Sequence, residues 1–365
     1  MALPLCFRTG IDNIINAAHN ICLTWRNKKF FLMAKKWLLA IPVLLGAGYW
    51  MGPSPATPVY DKNMPQVPAA PIALATYIKA NEALHKLKPD NEARIIWAND
   101  SVKSKTPWAI VYLHGFSSSQ AEGDPVHKNI AAMFGCNLYL SRLAEHGIDT
   151  TEPMMNLTAD KNWESAKQAL AIAKQIGDKV IVMGTSTGGT NALQLAAAYP
   201  NDVNALVLLS PNIAINNKNA YVLNNHWGVK LAELITGKDH NESADSTNPL
   251  VNQYWYTRYP FNGTAELQEI LETAMVPETF AKVHQPTLML YYYKDSIHQD
   301  STVRVDAMLK MYDELGTPGS LKRKQAMPDA GNHVIGSYIK SHDVAGVQAA
   351  TASFLKEILK MEPVK

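Results

Sequence analysis

The segment from Lys179 to Pro200, KVIVMGTSTGGTNALQLAAAYP, constrains this chain more than any other. Its apolar, β-branched run of Val180, Ile181 and Val182 reads as a buried strand. Ala, Leu and Gln then recur at helical spacing until Tyr199-Pro200. Between the two lies Gly184-Thr185-Ser186-Thr187-Gly188-Gly189. A serine framed by glycines at a strand-to-helix junction suits a turn so sharp that side chains at Gly184 and Gly188 would collide. Such a turn thrusts the Ser186 hydroxyl above the sheet and aims the free N–H groups of the helix start at it. A Ser/Thr-rich helix cap is the plainer reading of the same residues.

A serine hydroxyl is a poor nucleophile at neutral pH and needs a general base. In strand–serine–helix architectures the chain order is serine, carboxylate, histidine. Downstream, TLMLYYYKDSIHQD supplies Asp295 after a strand, and MPDAGNHVI supplies His333 on a turn before the last helix. His333 is expected to take the Ser186 proton, with Asp295 orienting its imidazole. Asp300 and Asp306 are expected in or at the start of a helix, in solvent. His298 shares a loop with Asp295 and cannot easily reach the serine, and His342 is expected at the surface. An oxyanion needs donors: the backbone N–H of Thr187 is one candidate, and that of Phe116 in AIVYLHGFSSS is the other. His114 in that stretch reads as a supporting hydrogen-bonding residue rather than a base. In the following EGDPVH, Glu122 to His127, contact with substrate competes with simple capping of the next helix by Asp124, with Pro125 in its first turn. Capping is the simpler expectation.

Strand-like runs at 93–98, 108–113, 136–140, 180–183, 205–210, 287–293 and 321–327 alternate with helical patterns at 124–134, 160–176, 189–199, 301–315 and 343–360. The alternation predicts an α/β fold with a mostly parallel sheet covered on both faces. From Pro211 to Gln285 the alternation breaks. That Asn-rich segment is far longer than a crossover loop, so it is expected to be an inserted helical cap over the carboxyl edge of the sheet. Its aromatics Tyr221, Trp227, Tyr254, Trp255, Tyr256 and Tyr259 either pack within the cap or line a pocket.

The whole chain of 365 residues has a net charge of +2. Residues 1–52 hold Arg8, Arg26, Lys28, Lys29, Lys35 and Lys36 against Asp12, a surplus of five, so the remainder carries a deficit of three. That gives nucleic acid no basic surface to neutralise. The cysteines, Cys6, Cys22 and Cys136, have no paired spacing for zinc or a disulfide framework. After Lys35-Lys36 come sixteen mostly apolar residues, 37–52, and no charge appears before Asp61. As a helix they reach about 24 Å against a hydrocarbon core of about 30 Å, the length of a signal or short anchor. Gly46-Ala47-Gly48 is a poor cleavage site, which favours an uncleaved anchor with the chain beyond Trp50 across the membrane. Met33-Ala34-Lys35-Lys36 looks like the beginning of such a signal, so translation from Met33 is an alternative to Met1. Residues 53–70 are Pro-rich and read as an extended linker. The α/β domain is expected over 71–365, with its cap at 211–285.

With these pieces assembled, the chain resembles serine hydrolases of the α/β-hydrolase superfamily, most of all bacterial carboxylesterases and monoacylglycerol lipases. YLHGF, LSRLAEHG, GTSTGG, LLSP, YYYKD and GNHVI occur in the family's order, across roughly residues 92–360. LSRLAEHG has Ser141 and Glu145 where the family carries proline and glycine. The resemblance implies Ser186, Asp295 and His333 as catalytic residues, Phe116 and Thr187 as oxyanion donors, and no metal or organic cofactor. It also implies two-step acyl transfer to water on a small-molecule ester or lipid, with small to medium acyl chains favoured by the polar cap. A peptidase or acyltransferase of the same superfamily, and a non-catalytic binding protein on this fold, are the alternatives.

Overall fold

The computed structural model describes residues 40–364 except 244–246, together with His19 and Trp25. The expected start at Met33, like every residue of 1–39 except His19 and Trp25, lies outside the described residues. The chain divides into two units, Met1–Pro53 and Ser54–Lys365. In the first, residues 40–50 are helical with apolar side chains such as Val43 and Leu45 exposed. Among the described residues no helix is long and apolar enough to cross a membrane.

The second unit opens on an extended strap and helix α1 (Pro71–Glu82), which buries Leu74 and Ile78. The strap is tied down by polar contacts. Asp160 Oδ1 accepts the N–H groups of Val59 and Tyr60 at 2.9 Å each. The Trp163 indole donates to Asp61 O at 2.6 Å, and the buried Lys167 ammonium donates to Asn63 O at 2.9 Å. Residues 53–69 form neither helix nor strand, and these bonds make the part from Val59 to Asn63 a component of the domain surface.

Strands β1 (Arg94–Ile96), β2 (Thr106–Leu113), β3 (Asn137–Leu140), β4 (Gly177–Thr185), β5 (Ala205–Leu209), β8 (Thr287–Tyr291) and β9 (Lys322–Ala326) form one sheet in the order β1-β3-β2-β4-β5-β8-β9. Only β1 runs antiparallel to its neighbour. Helices α2 (Val126–Met133), α3 (Ala159–Ile176), α4 (Thr187–Ala198), α9 (Val305–Glu314) and α10 (Val344–Glu357) cover it. Period-2 alternation along the central strands feeds two cores. Val111, Leu113 and Val182 pack with α3 and α4 residues such as Trp163 and Leu193. Ile110, Tyr112 and Met183 pack with α2 and α10 residues such as Ile130 and Phe354. Burying each such aliphatic side chain contributes about 1.5–3 kcal/mol. The expected α/β-hydrolase architecture, a mostly parallel sheet with helices on both faces, is what the chain adopts.

Between β5 and β8 lie α5 (Gly228–Thr236), α6 (Pro249–Tyr254), α7 (Phe261–Ala274) and α8 (Pro277–Phe280). A two-stranded antiparallel ribbon interrupts them, β6 (His240–Glu242) with β7 (Arg258–Pro260). The segment is therefore not wholly helical. His240 docks the ribbon on the loop before α3, with Nε2 3.0 Å from Glu152 Oε2.

Candidate active site

Ser186 stands between β4 and α4 with φ 53° and ψ −120°, a strained left-handed conformation for a residue with a side chain. The surrounding backbone dictates that strain. A Cβ on Gly184 would lie 2.3 Å from Gly188 O, and one on Gly188 would lie 1.9 Å from Leu113 O. No side chain fits at either position. The turn is locked by Ser186 N–H donating to Leu209 O at 3.0 Å and by Asn212 N–H donating to Ser186 O at 2.9 Å. Thr187 is the first residue of α4, so its N–H has no intrahelical acceptor and points with the positive end of the helix toward the serine.

His333 lies on the turn after β9, its side chain 9% exposed, with Nδ1 2.6 Å from Asp300 Oδ2. Its Nε2 is buried without a protein hydrogen-bond partner, and His333 and Ser186 line the same cavity. Burial works against a charged imidazole, but the charge and hydrogen bond of Asp300, with a contribution from Glu122, outweigh it. His333 therefore titrates above the ordinary imidazole value of 6.5.

The acid that holds His333 is Asp300, not Asp295. After Tyr291 the chain reverses in a tight turn, with Tyr293 bridging Gln299 and Asp300 N–H donating to Tyr292 O at 3.2 Å. Asp295 is carried to the tip of that turn, and its side chain is half-exposed. Its Oδ1 accepts the N–H groups of Ile297 (2.9 Å) and His298 (2.8 Å), and its carboxylate pairs with the His298 ring. The His298 and Ile297 contacts hold it at about 2, far below the usual carboxylate range. Asp300 returns to the strand end and is buried, so its expected place in solvent is also corrected. Its Oδ1 accepts Thr302 N–H at 2.8 Å and Val303 N–H at 3.0 Å, leaving Oδ2 for the histidine. Asp306 pairs with Arg304 in solvent, and His342 is exposed before α10, both as expected.

The loop 114–119 closes the other side of the serine. The N–H groups flanking Phe116 are committed: Gly115 N–H donates to the Glu122 carboxyl, and Ser117 N–H donates to His146 Nε2 at 3.0 Å. Ser117 O accepts Tyr256 N–H from the cap at 2.7 Å. His114 supports the loop, its Nε2 accepting Leu143 N–H at 3.0 Å. Burial lowers it to about 4, which keeps it neutral. The Phe116 ring packs edge-on against Tyr259 at 5.3 Å and lines the cavity. Asp124 does not cap α2, whose N-terminus has no side-chain cap; it pairs with Lys128 at 2.8 Å. Glu122, in a 3-10 turn, is buried at the cavity wall, and burial raises it to about 7.

The cavity measures about 820 Å³, within the range of small-molecule sites. Of the cap aromatics, Trp255, Tyr256 and Tyr259 line it. Tyr221 is largely exposed, and the Tyr254 hydroxyl donates to Asp90 at 2.8 Å. Tyr256 also packs structurally: its hydroxyl accepts Ile148 N–H at 2.6 Å and donates to Ile148 O at 2.7 Å. Among the described residues no cluster of three or more metal-ligating side chains occurs.

A family described as serine aminopeptidase, S33, matches residues 161–315, which include Ser186 and Asp300. No functionally curated protein matches the chain by sequence. Among solved structures, one reported for LipS and LipT, two metagenome-derived lipolytic enzymes, superposes with a TM-score of 0.60 at 16% identity, over 74% of this chain and 100% of that one. A putative non-heme bromoperoxidase, BpoC from Mycobacterium tuberculosis, gives 0.52 at 13% identity over 75% and 98% of the two chains. Est1E from Butyrivibrio proteoclasticus gives 0.50 at 16% identity over 73% and 94%. At these identities the likeness speaks to the fold. By its sheet order, its strand–serine–helix turn and the structures it superposes on, the chain has the α/β-hydrolase fold.

Proposed function

We propose that this protein is a serine hydrolase cleaving carboxylic esters of small to medium acyl chain, with monoacylglycerols as the larger end of the range. The observation that carries the reading is the His333 ring, fixed through Nδ1 by Asp300 while its buried, unpartnered Nε2 shares a cavity with a strained serine. His333 Nε2 removes the Ser186 proton as the oxygen attacks the ester carbonyl. The tetrahedral oxyanion is held by the N–H groups of Thr187 and Phe116. Collapse of that intermediate, with the proton passed to the leaving alcohol, gives an acyl-enzyme; water, deprotonated by the same histidine, releases the acid. Asp300 holds the tautomer and stabilises the imidazolium. The cavity's mixture of apolar walls, such as Leu267 and Tyr259, with amides, such as Asn212 and Asn241, supports ester substrates that carry polar groups.

We further propose that the apolar segment at 37–52 anchors the catalytic domain outside the cytoplasm. The support is its sequence: two lysines on one side, sixteen residues without charge, and a Pro-rich stretch beyond.

The match to a serine aminopeptidase family favours amide hydrolysis as the second reading. A panel of p-nitrophenyl esters of increasing acyl length, run beside aminoacyl-p-nitroanilides on the full chain, separates the two. Turnover of esters with an optimum at short to medium length supports the first reading. Turnover of the anilides alone replaces it with the second.

A further inference from the structure

The site contains a second acid that the scheme above does not use. Glu122 is 2% exposed, lines the cavity beside Ser186 and His333, and belongs to the turn that follows the oxyanion loop. Its carboxyl accepts the Gly115 N–H and lies in hydrogen-bond contact with the Ser118 hydroxyl. Ser118 in turn donates to Gly115 O at 2.9 Å, so carboxyl, hydroxyl and backbone close one ring around Gly115.

Gly115 is also where that ring meets the serine. A Cβ there would lie 2.8 Å and 2.9 Å from the two Glu122 oxygens and 2.9 Å from Ser186 Cβ. The carboxyl, the Gly115 backbone and the serine side chain are therefore packed without slack. Displacing the carboxyl displaces Gly115, and with it the next peptide, which carries the Phe116 N–H. The rest of the loop is held by His146 and by Tyr256 N–H, both bonded to Ser117. Glu122 is the side-chain acceptor on the serine-facing end.

We propose that Glu122 is a positioning residue of this site: its carboxyl clamps Gly115 so that the Phe116 N–H faces the oxyanion formed on Ser186. The inference rests on the hydrolase reading above. Because the oxyanion exists only after attack, loosening the clamp lowers kcat and leaves ground-state binding nearly unchanged.

The test compares Glu122→Gln, Glu122→Asp and Glu122→Ala in the full chain, each checked by thermal melting, with p-nitrophenyl butyrate as substrate and phenylboronic acid as a tetrahedral adduct former. Gln keeps an acceptor oxygen at the same reach and should retain kcat within about 3-fold. Asp withdraws the acceptor by one methylene and Ala removes it. Each should lose about 10- to 100-fold in kcat with KM within about 3-fold, less than outright loss of an oxyanion donor, and the boronate Ki should rise in parallel. Asp and Gln keep the proposal testable if Ala fails to fold. Wild-type kcat in Asp, equal losses in Gln and Asp, or a change in KM alone overturns it. An inert wild type, unlabelled at Ser186 by a fluorophosphonate, refutes the hydrolase reading and the clamp together. An active wild type whose variants do not respond refutes the clamp alone.

Discussion

Replacing Asp300 by Asn separates the structure's assignment from the one suggested by chain order. The substitution leaves the side chain nearly isosteric. Asn Oδ1 can still accept the Thr302 and Val303 N–H groups, so the loop should keep its shape. What changes is the 2.6 Å contact to His333 Nδ1. The amide nitrogen cannot accept the Nδ1 proton, which favours the tautomer with its hydrogen on Nε2, unable to receive the serine proton. The imidazolium formed during attack also loses its buried counter-charge. Removing one partner of a buried pair costs about 3–5 kcal/mol, or roughly 10²- to 10⁴-fold in rate. The tautomer error places the expected loss in kcat/KM at the upper end, on the order of 10³–10⁴. Asp295→Asn, at a half-exposed turn tip paired with His298, should stay within about 3-fold of wild type. Ester hydrolysis and the rate of fluorophosphonate labelling across pH 5–9 read the effect in two ways. Because Asp300 raises His333, the acidic limb of the wild-type profile should lie above 6.5, and the residual activity of Asp300→Asn should show that limb displaced to lower pH. A nearly active Asp300→Asn beside an inactive Asp295→Asn would refute the reasoning.

Three further perturbations probe the scaffold. Gly188→Ala, whose methyl would meet Leu113 O at 1.9 Å, should cost at least about 4 kcal/mol and abolish labelling, read by urea unfolding and probe fluorescence. Glu122 is an acid raised from 4.5 to about 7 by burial, so between those values the native state holds a proton that the unfolded chain has released. Stability then falls as pH rises through this window, and Glu122→Gln should gain relative to wild type from nothing below pH 4.5 to about 3 kcal/mol above pH 7 in paired denaturant titrations. Asp160→Ala leaves the Val59 and Tyr60 N–H groups without their acceptor and should lower unfolding free energy by about 1–2 kcal/mol, with earlier proteolysis near the strap.

Much of this architecture is legible in the sequence because it rests on local signals. Apolar runs mark β2, β4, β5 and β8, and the glycines around Ser186 announce a turn that admits no other residue at Gly184 and Gly188. His333 is legible from chain order and its Gly-Asn-His turn. The acid is different. Asp295 and Asp300 stand at the tip and the base of one short reversal, and the pairing of Tyr293 with Gln299 decides which one returns to the sheet. No periodicity reports such a bridge. The one local hint is the Asp-Ser-Thr that lets Asp300 Oδ1 bind the backbone at Thr302. Glu122 is obscured for a similar reason: in EGDPVH it looks like one charge among several, and only the 3-10 turn aims it inward. The ribbon of β6 and β7 has three residues in each strand, too few for alternation to register.

The central claim is that one hydroxyl, Ser186, is activated by His333 on Asp300. Incubating the folded full-length chain with a fluorophosphonate and mapping the adduct by peptide mass spectrometry tests it most directly. The account predicts a single adduct on the peptide containing Ser186, absent in Ser186→Ala and slowed by several orders of magnitude in His333→Ala. A folded wild type that takes no label, or a label that persists in Ser186→Ala, contradicts it.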